Sequence, residues 1–246
     1  MRSMGKKPYL LYRGLRQVGE TILLRALLRS EAEELGYHPL PWVYHDTALR
    51  AEGSLSRLEA IEKVIEAENL KTGVALDIGS HMGFFSLSLA KRGWFVYAVE
   101  NNRQRLLLSF LIAQRIKANV NPIRLNIDKS NVGCLPMADI TLCLSIWHHW
   151  VRRYGLEDAT FVLGEVLNKT KSLLFFDAGE DEMDERYGLP YGGEKASEFL
   201  WRYLCGFSSL QSVVRLGEHQ AFSPGEIRKP VRRTLFCLKK TCADAS

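Results

Sequence analysis

Asp77, Gly79 and Gly83 stand at the end of one apolar run, and Glu100 closes the next. Residues 74–78 read as a short buried strand that empties into a turn holding both glycines. A helix over 84–91 and a second strand over 94–100 follow. This layout puts two carboxylates at strand carboxyl ends, where open parallel sheets bind ligands. Glycine is needed where backbone takes positive φ or passes close to a ligand. Glu100 is placed to accept hydrogen bonds from ribose hydroxyls. The loop lacks the G-x-G-x-x-G that seats a pyrophosphate on a helix N-terminus, and Asp77 would set negative charge beside a phosphate. The segment therefore suits a nucleoside with a cationic or amine-bearing group. Its candidate contacts are Asp77, Gly79, Ser80, His81, Gly83, Phe84, Glu100 and Asn101.

A second constellation follows a strand read over 140–146: Ser145-Ile146-Trp147-His148-His149-Trp150. At a strand carboxyl end this hexapeptide should face the ligand crevice. An imidazole titrating near neutrality can take a proton from a hydroxyl. Trp147 offers an apolar wall and a π-face for a cation, and Ser145 a polar contact. The structural alternatives are a histidine that caps the next helix and a Trp150 that packs in the core. Beyond a fifth strand over 172–177, Glu180 is placed to orient a histidine or a substrate hydroxyl. Asp181, Glu182, Asp184 and Glu185 read as a solvated acidic loop, since no metal-ligand spacing is present and no metal is expected. Arg228, Lys229, Arg232 and Arg233 suit either a phosphate group or a solvated hairpin face.

The elements that must position these residues alternate. A helix capped by Ser54 or Ser56 runs to about Asn69. Strands over 74–78, 94–100, 121–127, 140–146 and 172–177 are interleaved with helices over 84–91, 103–117 and 156–169. Such alternation implies a parallel sheet with helices on both faces. A helix near 194–205 and two strands over 210–216 and 233–238 close the chain as an antiparallel hairpin at the sheet edge. The 246 residues, 46% hydrophobic and 25% charged, can build one large α/β core, and the net charge of +5 does not by itself imply nucleic acid. The charge is concentrated early, in Arg2, Lys6, Lys7, Arg13, Arg16, Arg25 and Arg29, opposed there only by Glu20, with leucines at near-helical spacing between them. A basic amphipathic helix can lie on an anionic membrane surface or pack on the domain; packing is the favoured reading. No run is long and apolar enough for a transmembrane span, and no signal-peptide layout opens the chain. Cys134, Cys143, Cys205, Cys237 and Cys242 are scattered, without a C-x-x-C pair, which fits reduced thiols in the cytoplasm. The expected organisation is a helical extension and linker over 1–53, with His38-Pro39-Leu40-Pro41-Trp42 as its extended end, and one domain over 54–246.

The loop Asp77-Ile78-Gly79-Ser80-His81-Met82-Gly83 resembles motif I of the class I S-adenosylmethionine-dependent methyltransferases, E/D-x-G-x-x-x-G, although His81 replaces the usual small or polar residue. Residues 139–150 with Tyr154-Gly155-Leu156-Glu157, and the run Gly83-Phe84-Phe85-Ser86-Leu87-Ser88-Leu89-Ala90, are similar to the methyltransferase part of bacterial kinase–methyltransferases that terminate O-antigen chains. The resemblance covers about residues 55–240 and implies a Rossmann-like seven-stranded α/β sheet with an N-terminal helical extension. It implies S-adenosyl-L-methionine as cofactor, with Glu100 as the ribose acid, and Asp128, at the end of the third strand, meeting the adenine amino group. By their place at strand carboxyl ends, His148, His149 and Glu180 are the candidate catalytic residues on the acceptor side. The expected activity is O-methylation of a glycan, sugar phosphate or related small molecule. A more distant similarity to RNA 5′-phosphate and wobble-uridine methyltransferases makes RNA the alternative acceptor, disfavoured because no basic stretch is interleaved with aromatics. A non-catalytic S-adenosylmethionine-binding protein is a third reading, and the absent G-x-G-x-x-G disfavours a nicotinamide oxidoreductase. The expected location is the cytoplasm, with peripheral contact at the inner face of an anionic membrane if the basic helix lies on lipid.

Overall fold

The computed structural model describes residues 7–30, 38–43, 51–180, 189–191, 193–222 and 230–240. The strands are β1 (Val74–Ile78), β2 (Phe95–Glu100), β3 (Val120–Arg124), β4 (Ala138–Leu144), β5 (Thr170–Asp177), β6 (Leu210–Phe222) and β7 (Pro230–Lys240). They form one sheet in the order β3-β2-β1-β4-β5-β7-β6. β1 to β5 are parallel, and β7 runs antiparallel between β5 and β6. The helices are α1 (Lys7–Ser30), α2 (Ala51–Ala67), α3 (Phe84–Lys91), α4 (Arg103–Ile116), α5 (Trp147–Tyr154), α6 (Leu156–Lys169) and α7 (Ala196–Cys205). This is the expected seven-stranded α/β sheet, and the order reverses direction between β1 and β4, the switch point at which such sheets open a crevice.

Alternation along the central strands divides the core. Leu142 and Phe175 join a cluster with Ile61, Leu87 and Ile112, from α2, α3 and α4. Their neighbours Cys143 and Phe176 point to the opposite face, with Val162, Leu163 and Leu200 from α6 and α7. A strand covered on both faces reads as a continuous apolar run, which is how β4 and β5 appear in the sequence.

Three elements depart from expectation. β3 ends at Arg124, so Asp128 lies in the following loop and not at a strand end. β3 also carries Pro122, which an edge strand tolerates because the missing N–H faces away from the ladder. β4 stops at Leu144 and not at residue 146, since Ser145 takes φ +57 and breaks the extended run, and α5 follows from Trp147. α2 starts at Ala51, so Ser54 and Ser56 lie inside it and do not cap it, and the expected boundary at residue 54 falls within a helix.

Leu24 and Leu27 of α1 are buried in the same core cluster as α2 and α4, while Ile22 and Leu23 are exposed. This half of α1 therefore packs on the domain. Arg2, Lys6 and Cys242 lie outside the described residues. No helix among the described residues is long and apolar enough to cross a membrane. Cys134, Cys143, Cys205 and Cys237 are all free thiols.

α2 is fastened to the far side of the sheet at Gly53, where an added Cβ would lie 1.9 Å from the carbonyl oxygen of Gln220 in β6. Alanine favours a helix over glycine, yet here the backbone must move to admit a methyl group. Gly53→Ala should lower stability by about 1–3 kcal/mol, read as a shift of the urea unfolding midpoint with an unchanged slope.

Candidate active site

Between β1 and α3 the chain makes a turn whose conformation only some residues allow. Gly79 and Gly83 take φ +71 and +87, and His81 takes φ +52. A Cβ on Gly79 would meet Ile146 Cδ1 at 2.1 Å, and one on Gly83 would meet Ser109 Oγ at 2.1 Å. Both glycines are thus required by backbone angle and by space. The N–H groups of Gly79 and Ser80 donate to the carbonyl of Val99, which draws the turn over the end of β2. Glu100 then accepts from His81 N–H at 2.9 Å through Oε2 and from Asn102 N–H at 2.8 Å through Oε1. Each oxygen keeps a further lone pair for a ligand hydroxyl.

Asp77 is buried below this turn and accepts the Ser86 hydroxyl at 2.6 Å. Burial pushes its pKa up to about 6 against the opposing bonds from Ser86, and the nearby Glu100 charge adds to the rise. Two carboxylates thus lie at the carboxyl ends of the neighbouring strands β1 and β2, an arrangement that a cation would relieve. Ser80 Oγ and Ser109 Oγ are buried there without a hydrogen-bond partner among the described residues. Phe84 opens α3 and is buried. Asn101 is exposed just past β2, its carbonyl accepting from Arg124 Nε at 3.4 Å. Asp128 does not end a strand as expected: its Oδ1 accepts the N–H and hydroxyl of Ser130, which hold its carboxyl below the usual range. It is a turn-forming acid.

On the other side of the switch point, Asp177 at the end of β5 gathers a buried network. Its Oδ1 accepts both the N–H and the hydroxyl of Ser145, at 2.7 and 2.8 Å, and its Oδ2 accepts Arg57 Nη1 from α2 at 2.7 Å. Arg233 Nη1 on β7 donates to Ser145 Oγ at 3.2 Å. Burial alone would raise the Asp177 pKa, but the Arg57 and Arg233 guanidiniums and the bonds to Arg57 and Ser145 outweigh it and hold it below the ordinary value. Ser145 is in a left-handed conformation that costs a non-glycine residue free energy, and this network is what fixes it there.

Helix α5 sorts the tandem histidines. Trp147, His148, Trp150 and Val151 are buried at helical spacing, and His149 faces outward. Trp147 was expected to wall the ligand; it is 0% exposed, packs on Tyr203 and Phe176, and donates its indole N–H to Tyr203 Oη at 3.2 Å. It is a core residue, because the helix turns it beneath the sheet end. His148 Nδ1 accepts the N–H of Gly179 at 2.9 Å, so the neutral ring carries its proton on Nε2 and is a donor there. His149 lies with its ring 4.3 Å from that of His148. The surrounding protein, then Arg233 and Arg152, lower its pKa, although part of the ring reaches solvent. Of the two, His149 is the imidazole able to accept a proton. Glu180 is buried and accepts the Thr234 N–H of β7, so it braces the end of β5 against β7. The acidic loop at 181, 182, 184 and 185 and the basic pair Arg228 and Lys229 lie outside the described residues.

Arg57 escaped the sequence reading. It falls on the stripe Gly53, Ser54, Leu58, Ile61 and Ile65, all buried, and an arginine on a buried helical stripe signals a buried acid partner.

This strand order, with β7 reversed between β5 and β6, a glycine turn after β1 and an acid at the end of β2, is that of the class I methyltransferase fold. No family model matches the chain. In sequence, residues of this chain are 24% identical over 109 positions to the O-antigen chain terminator bifunctional methyltransferase/kinase WbdD of Escherichia coli, covering 44% of this chain and 15% of that protein. The crystal structure of WbdD at 2.2 Å superposes with a TM-score of 0.66 at 20% identity, over 87% of this chain and 46% of the other. Magnesium protoporphyrin IX methyltransferase (ChlM) from Synechocystis PCC 6803, crystallised with SAH, superposes with a TM-score of 0.58 at 13% identity, over 90% and 99%. TehB from Haemophilus influenzae gives 0.52 at 14% identity, over 73% and 62%. The chain thus spans less than half of the WbdD chain that it matches, and it shares the fold of these proteins.

Removing Arg57 would leave Asp177 buried without its ion-pair partner. Arg57→Ala should cost about 3–5 kcal/mol at neutral pH. The wild-type contribution of Asp177 is present above its unfolded pKa, near 3.8, and is lost as pH falls through its lower folded value. The gap between variant and wild type should therefore narrow below that pH, as measured by urea unfolding across a pH series.

Proposed function

We propose that the protein is an S-adenosylmethionine-dependent methyltransferase that methylates an oxygen of a glycan, a sugar phosphate or a related small molecule. The observation that carries the cofactor is the convergence of Asp77 and Glu100 beside the turn of Gly79 and Gly83 at the switch point. S-adenosylmethionine supplies an activated methyl group on a sulfonium, with an amino group and a ribose but no phosphate. Glu100 would accept from the ribose hydroxyls, and Asp77 would favour the positive groups. Ser80 would donate its hydroxyl, and Gly79 and Gly83 would let backbone approach closely.

For the acceptor, the likeness to WbdD and the side chains at the β4–α5 turn support the reading. His149 would take the proton from an acceptor hydroxyl, while the buried frame beneath it aligns the acceptor for in-line displacement. His148 would hold α5 to the loop after β5 and offer its Nε2 proton. Arg152 and Arg233, which depress the His149 pKa, would also favour an acceptor that carries negative charge.

Calorimetry with S-adenosylhomocysteine tests the cofactor directly: saturable binding is expected with the full chain, none with NAD, and absent binding to the folded protein refutes the assignment. Asp77 gives a sharper signature. Its folded pKa of about 6 exceeds the unfolded 3.8, so the group costs stability progressively as pH rises between those values. Asp77→Asn should stabilise the ligand-free protein above pH 6, by up to about 3 kcal/mol, while weakening S-adenosylhomocysteine binding. Once an acceptor is in hand, His149→Ala should leave cofactor affinity nearly intact and slow turnover by roughly 10²–10⁴-fold. The base-dependent limb of the wild-type rate should fall at a pH below the ordinary 6.5 of histidine, because its pKa is lowered. Full activity in the variant would leave positioning alone as the source of catalysis.

A further inference from the structure

The segment after α1 is built into the cofactor turn. His38 is only 8% exposed. Its ring stacks on Phe84, with centroids 6.1 Å apart and planes 12° from parallel. It meets Phe85 edge-on at 5.8 Å and His81 edge-on at 5.7 Å. Its Nδ1 lies 2.7 Å from Ser54 Oγ, and Ser54 is fully buried in α2. Leu40, 1% exposed, fixes the segment two residues on, and the Val43 N–H closes a turn on its carbonyl at 3.0 Å. Trp42 and Val43 pack on the same cluster. A proline-punctuated linker was expected here. The chain is instead pinned at both ends of 38–43, with an aromatic ring directed at the turn.

The two residues that this ring touches within the turn are the ones whose placement matters. His81 takes the left-handed conformation, and Phe84 is the first residue of α3. A non-glycine residue persists at such an angle only where its surroundings over-determine it. Glu100 does so from one side, through the His81 N–H, and the His38 ring does so from the other.

We infer that His38 is a positioning residue for the nucleoside cofactor: its ring, oriented by Ser54, braces the Gly79–Phe84 turn in the conformation that receives the ligand. The inference rests on the reading of that turn as an S-adenosylmethionine site. The part contributed by a residue before α2 is thus a flat ring that supports the turn, and any flat ring of similar size should supply it.

The test is calorimetry of S-adenosylhomocysteine with the full chain, as wild type, His38→Ala, and the double variant His38→Phe with Ser54→Ala, which keeps a ring and leaves no buried hydroxyl unpaired. If truncation lets the turn leave its competent form nine times in ten, affinity falls about 10-fold. His38→Ala is therefore expected to bind about 10-fold more weakly or worse, and the double variant to return to within about 3-fold of wild type. Circular dichroism melting of the ligand-free proteins separates loss of the turn from loss of the fold. Equal affinity in His38→Ala overturns the inference, as does a double variant as weak as the truncation, or weak binding that appears only where the protein is unfolded. A wild type that binds no S-adenosylhomocysteine overturns the cofactor reading itself, a different result from a wild type that binds and a His38→Ala that binds equally well.

Discussion

The carboxylate of Asp177 is the charge around which the β4–β5 half of the molecule is built. A carboxylate removed from water at the end of a central strand needs donors and a countercharge, and no single neighbouring strand can supply them all. α2 brings Arg57, the turn that ends β4 brings the N–H and hydroxyl of Ser145, and β7 brings Arg233 to that hydroxyl. One buried ion therefore couples four elements that are far apart in the chain. It also fixes the direction in which the chain leaves β4, since Ser145 holds an angle that its own side chain disfavours.

What that direction decides is the character of two adjacent histidines. The helix that starts after Ser145 turns His148 inward, onto the N–H of Gly179, and His149 outward, toward Arg152 and Arg233. A ring that accepts at Nδ1 has its proton committed to Nε2, and burial first, then the neighbouring cations, lower the pKa of the other. Donor and acceptor roles are thus divided by a bond and by a field, within one turn of helix.

The half around β1 and β2 works in the opposite way. Asp77 is buried below the turn near Glu100, and burial first, then the Glu100 charge, raise its pKa. The fold tolerates this because the rest of the sheet is apolar and closely covered on both faces. Unfavourable charge held inside a fold is a familiar form of the conflict between stability and function. The turn above it is held by backbone bonds to Val99, by Glu100 and by the ring of His38, so its shape is set from three directions.

The sequence by itself determined the sheet and the glycine turn. Their signals are local: apolar runs ending in Asp77, Glu100 and Asp177, helical periodicity over 84–91 and 156–169, and glycines where φ turns positive. It could not place Asp128, because the strand before it ends early at an edge where little packing extends it. It set Trp147 at the ligand, because a strand was read through Ser145, and only the Asp177 network shows why the strand stops there. Arg57 carries no such local signal, and His38 reads in the sequence only as part of a linker. Their partners, Asp177 and Ser54 with Phe84, lie 120, 16 and 46 residues away, and a side chain's partner across such distances is chosen by the folded arrangement of elements. Periodicity tells which face of a helix is buried; which charge or ring waits beneath that face is settled only when the sheet has formed.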